Sequence, residues 1–213
     1  MIGTMTEKKI VCFGGTFDPV HLGHTAVAAE AGEHIGADRV IFVPARRSPL
    51  KALGPEASDN DRLEMLRLAL SGNSRFALTD YELKQPGPNY TIETVRHFKK
   101  QFEDAEIYWL LGADTVDDLQ HWHCITELLD ECNMSVMFRG GVKPPDFSRF
   151  ESIWGRQRVE KLERNIVETP LIDISSTEIR SRLSTGRDVS GMVNQMVLQY
   201  IREHGLYGSG TAE

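Results

Sequence analysis

The stretch Lys9-Ile-Val-Cys-Phe-Gly-Gly-Thr-Phe-Asp-Pro-Val-His-Leu-Gly-His24 decides how the rest of the chain is read. Ile10 to Phe13 is a short apolar run closed by Gly14-Gly15, the profile of a buried parallel strand. Helical spacing follows from about His21 to Ile35, with Gly36 placed as a stop. A strand, a glycine-rich turn and a helix start in this order put backbone N–H groups where an anion can meet them. The turn is neither a Walker loop, which needs Gly-Lys-Ser/Thr, nor the Gly-x-Gly-x-x-Gly fingerprint. It carries His21 and His24 instead, expected one turn into the helix with both imidazoles on one face toward the strand tips. Gly23 between them is expected to leave room for a ligand against the helix backbone.

The same alternation continues outward. Strands are expected at Arg39–Pro44, Phe76–Thr79, Glu106–Leu111, Met134–Phe138 and 167–172. Helices are expected at Asp59–Leu70, from Thr91 with Ile92, Val95 and Phe98 on one face, at Ser176–Leu183 and at Val193–Glu203. The gaps are too long for hairpins, so the pattern predicts an α/β protein, a doubly wound and mostly parallel sheet with helices on both faces. Ligands in such sheets bind at the carboxyl ends of the strands. The expectation is one domain over 8–207 with frayed tails at 1–7 and 208–213. No element is assigned to Lys143–Arg164.

Composition sets outer bounds. The 213 residues carry 24 Lys and Arg against 31 Asp and Glu, a formal net charge of −7. That balance argues against nucleic acid or an anionic membrane as partner, since both need net or clustered basic charge. Three cysteines, Cys12, Cys124 and Cys132, follow no disulfide spacing and suit a reducing cytoplasm. No apolar run approaches the roughly 20 residues that span a bilayer, and the N-terminus lacks the apolar stretch of a signal peptide. A cytoplasmic protein is expected, with a homo-oligomer left open.

Gly-Gly-Thr-Phe-Asp-Pro-Val-His-Leu-Gly-His, at 14–24, resembles the first signature of the nucleotidyltransferase superfamily. A second superfamily element stands downstream as Ile174-Ser-Ser-Thr-Glu-Ile-Arg180. Between them, Val43-Pro44, Pro49-Leu-Lys51, Arg62-Leu-Glu-Met-Leu66, Asn89-Tyr-Thr91, Leu111-Gly-Ala-Asp114, Trp122 and Phe138-Arg139, with Gly205-Leu-Tyr207 at the end, are similar to the bacterial nicotinate-nucleotide adenylyltransferases. The pantetheine-phosphate adenylyltransferases share the outer motifs but resemble the middle of the chain less. The resemblance implies a Rossmann-like fold. It also implies transfer of AMP from ATP to nicotinate mononucleotide, giving deamido-NAD and pyrophosphate, with Mg²⁺ carried mainly by the ATP phosphates.

It further implies roles for single residues. His21 and His24 would stabilise charge on the α-phosphoryl group. Gly14, Gly15, Thr16 and Phe17 of the first loop would bind ATP, together with Gly112 and Asp114 after the fourth strand. Ser175, Ser176, Thr177 and Arg180 would meet the ATP phosphates, although a plain helix cap also suits them. Trp122 would stack on the pyridine ring, and Thr91 with the N–H groups near Trp122-His123 would receive its carboxylate. His123 stands where the family often has tyrosine. Arg46, Arg47, Lys51 and Arg139 would neutralise phosphate or pyrophosphate. A metal site of the protein's own is not expected; His121, His123, Cys124 and Cys132 fit no common zinc spacing. Competing readings are a nicotinamide mononucleotide or dual-specificity enzyme, a nucleotide-binding regulator without catalysis, and a metal-dependent DNA-binding module.

Overall fold

A computed structural model describes residues 8–46 and 54–209. Six strands pair in parallel throughout: β1 (Lys9–Gly15), β2 (Arg39–Pro44), β3 (Phe76–Leu78), β4 (Glu106–Gly112), β5 (Asn133–Arg139) and β6 (Ile166–Thr169). Their order across the sheet is β3-β2-β1-β4-β5-β6. The chain thus winds outward from β1 in one direction and, after β4, in the other. The crevice between the carboxyl ends of β1 and β4 is the point where the winding reverses, the place where doubly wound sheets bind ligands.

Alternation along β1 shows why both faces must be covered. Val11 and Phe13 enter the core formed with α1 (Leu22–Ile35), α2 (Asp59–Leu70), α8 (Ser176–Ser184) and α9 (Gln195–Glu203). Ile10 and Cys12 enter the opposite core, with α4 (Thr91–Gln101), α5 (Ile125–Glu131), α6 (Glu151–Trp154) and α7 (Arg156–Arg164). A strand apolar on both faces has no polar register, which is why Ile10 to Phe13 reads as an unbroken run. The remaining helix, α3 (Tyr81–Lys84), is a single turn.

Several boundaries differ from expectation for local reasons. His21 is the N-cap of α1 with extended backbone, not a residue one turn inside the helix. Gly36 stops that helix in the left-handed conformation (φ 69°), as expected. The last strand closes at Thr169, short of Ile172, because Pro170 has no N–H to add to the ladder. Lys143–Arg164 holds a 3₁₀ turn at Ser148–Phe150 followed by α6 and α7. Gly208 and Ser209, expected in the tail, belong to the structure: Gly208 ends a 3₁₀ turn and the Ser209 hydroxyl donates to the Ile201 carbonyl at 3.1 Å.

The C-terminal turn is anchored by Tyr207, whose buried hydroxyl donates to Asp18 Oδ1 at 2.7 Å. Burial and the carboxylate beside it push the phenol well above its usual range, so it remains a donor. Replacing Tyr207 with Phe should cost about 1.5–3 kcal/mol, the range for a hydrogen bond to a charged group. Urea unfolding followed by circular dichroism would measure it, and an unchanged midpoint would remove this contact from the stability account.

Candidate active site

The crevice at the sheet's reversal point is a cleft of about 740 Å³. One wall is the tip of β1, Phe13 to Thr16; the floor is β4 from Trp109 to Gly112. The far wall comes from Asn89-Tyr90-Thr91 at the start of α4 and from the 3₁₀ segment Ala113–His121, with Trp122 and His123. The fold therefore brings Gly14, Gly15, Thr16, Thr91, Gly112, Asp114, Trp122 and His123 into one cavity, as the sequence reading expects.

The glycines of this cleft answer first to packing. A Cβ on Gly14 would lie 2.5 Å from Trp109 Cζ2, and one on Gly15 would lie 2.8 Å from the Phe17 ring. At Gly112 a Cβ would fall 2.3 Å from Asp114 Oδ1. Gly23 corrects an expectation: the space beside it is taken by the His21 ring, 3.0 Å from a Cβ there, and by Ile172. Phe17 corrects another. Its side chain is buried and packs edge-on to Phe13 and His24, so only its backbone can face a ligand.

His21 and His24 stack with ring centroids 3.6 Å apart. The His21 N–H donates to His24 Nδ1 at 3.3 Å, which makes Nε2 the proton-bearing nitrogen of a neutral His24. His21 is buried, and its Nδ1 has no hydrogen-bond partner among the described residues. Burial lowers its pKa to about 4, so the ring is neutral at pH 7.

The second motif does not line the cleft. It grips the first loop from behind. Ser176 Oγ donates to the Pro19 carbonyl at 2.9 Å and Arg180 Nη1 to the Asp18 carbonyl at 2.7 Å. Ser175 caps α8, its hydroxyl accepting from the Glu178 N–H at 3.2 Å, and Thr177 is exposed at the helix start. Arg180 Nε also lies 3.3 Å from Glu56 Oε2. Arg139 is placed apart from Trp122. It borders a neighbouring hollow of about 500 Å³, on the other side of the 113–121 segment, with Lys143 and Arg149. The Arg46 guanidinium donates to the Gln85 carbonyl at 3.0 Å, while Arg47 and Lys51 lie outside the described residues.

The first loop, the cleft and the second motif all fall within residues 12–182, which match the cytidylyltransferase-like family model. A Rhodopirellula baltica protein named "Probable nicotinate-nucleotide adenylyltransferase" is 38% identical over 202 residues, covering 95% of this chain and 94% of its own. One of the same name from Neisseria meningitidis serogroup B is 38% identical over 200 residues, covering 94% and 98%. The chain belongs to the nicotinate-nucleotide adenylyltransferase family. The fold is shared with Plasmodium falciparum nicotinic acid mononucleotide adenylyltransferase complexed with NaAD, at a TM-score of 0.73 and 20% identity, over 95% of this chain and 98% of that one.

Three buried polar residues around the cleft have partners that no motif spells out. Asp18 sits inside the first signature, yet its carboxylate turns inward and accepts from the Glu56 and Ala57 N–H groups at 2.7 and 3.1 Å. Arg62 is fully buried, donating to the Thr16 carbonyl and to Asp59 Oδ1, both at 2.6 Å. It holds the cleft loop from below with a cation shielded from solvent. Glu82, on α3, is buried in the cleft wall. Arg62 stood in the sequence as an arginine among the apolar positions of α2, a signal that a buried partner exists. Glu82 offered none.

One backbone expectation also changes. The Trp122 N–H is taken by the Leu119 carbonyl at 3.0 Å, which leaves the His123 N–H as the main-chain donor at that corner. The His123 ring lies against Tyr90, centroids 4.4 Å apart.

The His21 environment sets a pH dependence. Its folded pKa of about 4 lies below the ordinary 6.5, so the unfolded chain takes up the proton first. The stabilisation from a neutral His21 is present above 6.5 and is lost as the pH falls toward 4, by up to about 3 kcal/mol. Denaturation midpoints of the parent and His21→Asn across that range should show the slope reduced in the variant. A His21 imidazole that titrates normally by NMR would contradict the assignment.

Proposed function

We propose that this chain transfers the AMP moiety of ATP to nicotinate mononucleotide, forming deamido-NAD and releasing pyrophosphate. The observation that carries the reading is one cleft, at the switch point of the sheet, holding the first-motif loop on one side and Thr91 with Trp122 on the other. The relatives' shared name supports the same reaction.

A phosphate oxygen of the mononucleotide attacks the α-phosphorus of ATP. The new P–O bond forms as the bond to the bridging oxygen of pyrophosphate breaks. The attacking phosphate is already ionised, so the residues orient the reactants and stabilise charge rather than remove a proton. His24, with its proton on Nε2, and the neutral His21 are donors for the α-phosphoryl oxygens. An incoming phosphate anion favours the protonated imidazole, and the unpartnered His21 Nδ1 gives that proton a place. Backbone N–H groups near Gly14 to Thr16 and the start of α1 add to this field. In this reading Ser176 and Arg180 act on the phosphate end by bracing the loop, with Ser175 capping α8 and Thr177 exposed at its start.

The cation is proposed to be Mg²⁺ arriving with ATP. Among the described residues no group of three or more His, Cys, Asp or Glu side chains is placed to hold one. The triphosphate would then supply its ligands, with waters retained. On the substrate side Trp122 faces the pyridine ring, and its buried Nε1, without a partner among the described residues, offers a hydrogen bond to bound ligand. Thr91 and the His123 N–H receive the ring's carboxylate. Asp114, exposed at the rim, accepts from a ribose hydroxyl. Arg139 borders the neighbouring hollow and has no role toward the mononucleotide in this reading.

Pyrophosphate release with ATP, Mg²⁺ and nicotinate mononucleotide tests the reaction directly, and a nucleotide-binding regulator would release none. Within an active enzyme, His24→Ala should lower kcat by about 100- to 1,000-fold with little change in ATP affinity, as for loss of one preorganised donor. Trp122→Ala should raise the KM for the mononucleotide while leaving the KM for ATP near its parent value. Equal rises in both constants would remove Trp122 from the pyridine subsite.

A further inference from the structure

Glu82 is a carboxyl set into the wall of the cleft, only 5% exposed yet part of its lining. Two contacts tie it to the Asn89–Thr94 stretch. Its backbone carbonyl accepts from Asn89 Nδ2 at 2.9 Å, and its Oε1 accepts from Thr94 Oγ1 at 2.6 Å. Thr94 and Thr91 are three residues apart on α4, and residues at that spacing share a helix face. The Glu82 carboxyl is therefore held within about one helical turn of Thr91, the hydroxyl assigned to the ring substituent of the mononucleotide. Burial raises the Glu82 pKa to about 7, against a smaller opposing effect of the Thr94 hydroxyl.

We propose that Glu82 is a specificity-determining residue whose protonation state sets the preference between a pyridine carboxylate and a pyridine carboxamide. The inference rests on the adenylyltransferase reading above. A neutral Glu82 carries no charge against a substrate carboxylate and can donate a hydrogen bond toward it. An ionised Glu82 places a like charge beside that carboxylate in a poorly screened cleft, whereas an uncharged carboxamide feels no such penalty and can donate to it. The ratio of acid to amide use therefore falls as Glu82 ionises.

Other titratable groups around Glu82 can be separated from it. Cys12, on β1, has its thiol pushed well above the usual value by burial first and by Cys132 and Glu82 in addition. The Tyr81 phenol, on α3, is raised by burial and by Glu93 and Glu82. Both stay neutral while Glu82 titrates. Asp114, Asp118, His121 and His123 line the same cleft. The Glu82→Gln comparison separates any contribution of these neighbours from that of Glu82. Phosphate ionisation is common to both mononucleotides and cancels in their ratio.

The test is the ratio of kcat/KM for nicotinate mononucleotide to that for nicotinamide mononucleotide, from about pH 6 to about pH 8.5 at saturating ATP and Mg²⁺. In the parent enzyme the ratio should fall about tenfold across the range, as for a shift of one pKa unit on binding. In Glu82→Gln it should be flat. Thr94→Val removes the hydrogen bond that favours the charged carboxyl, so the midpoint should move to higher pH; this variant decides the matter if Glu82→Gln does not fold. A flat ratio in the parent, a slope that persists in Glu82→Gln, or an unmoved midpoint in Thr94→Val would overturn the proposal. Conversion of neither mononucleotide would instead overturn the adenylyltransferase reading, and this inference with it.

Discussion

The Asp18 carboxylate is the point on which the described structure turns. It is 4% exposed, and a carboxylate that far from water must be hydrogen-bonded to remain in place. Its donors come from chain segments far apart: the Glu56 and Ala57 N–H groups ahead of α2, and the Tyr207 hydroxyl after α9. Arg180 adds a contact to the Asp18 carbonyl from α8. One buried anion thus fixes where the first loop, the start of α2, the second motif and the C-terminal turn meet. Arg62 does the converse from below, where a fully buried guanidinium holds the Thr16 carbonyl. The loop at the sheet's switch point is held by both, and its position is set by the fold rather than by a ligand.

This arrangement resolves an apparent conflict in charge. A chain with a net charge of −7 repels anions at long range, while both proposed substrates are phosphate esters. The attraction has to be local. The Ser176–Pro19 hydrogen bond brings the start of α8 against the loop that leads into α1. The buried Arg62 guanidinium is paired with Asp59 at 2.6 Å and holds the Thr16 carbonyl, so it fixes the loop rather than presenting a free charge. Glu82, in the cleft wall, is the exception, and burial disfavours its charge, raising its pKa to about 7.

Most of the architecture was legible because its signals are local. Apolar runs at β1, β2 and β4 end in glycine or proline, and α1 ends at a glycine whose positive φ a side chain would oppose. The segment 143–164 resisted for an identifiable reason. Phe147, Phe150, Trp154, Val159 and Leu162 are all buried, but Gly155 at φ 81° breaks the chain between α6 and α7, so no single helical period runs through them. The four-residue α3 is too short to show a period at all. The cleft followed the same division. Gly14 to Thr16, Thr91, Asp114 and Trp122 are set by motif and meet in one cavity. Phe17 and Gly23 looked like ligand contacts until the packing of Phe13, His21 and Ile172 claimed their space.

The amino-acid sequence by itself determined the alternating α/β pattern and the parallel sheet, and it singled out the loop after the first strand, which lines the cleft. Those follow from hydrophobic periodicity, turn residues and motif spacing, all readable within short windows. Only the tertiary structure decided that the second motif braces the first loop, that Arg139 and Trp122 stand on opposite sides of a 3₁₀ segment, and that Glu82 is buried in the cleft wall. Each of those outcomes depends on which distant groups exclude water from a polar side chain, and exclusion of water is a property of the packed molecule.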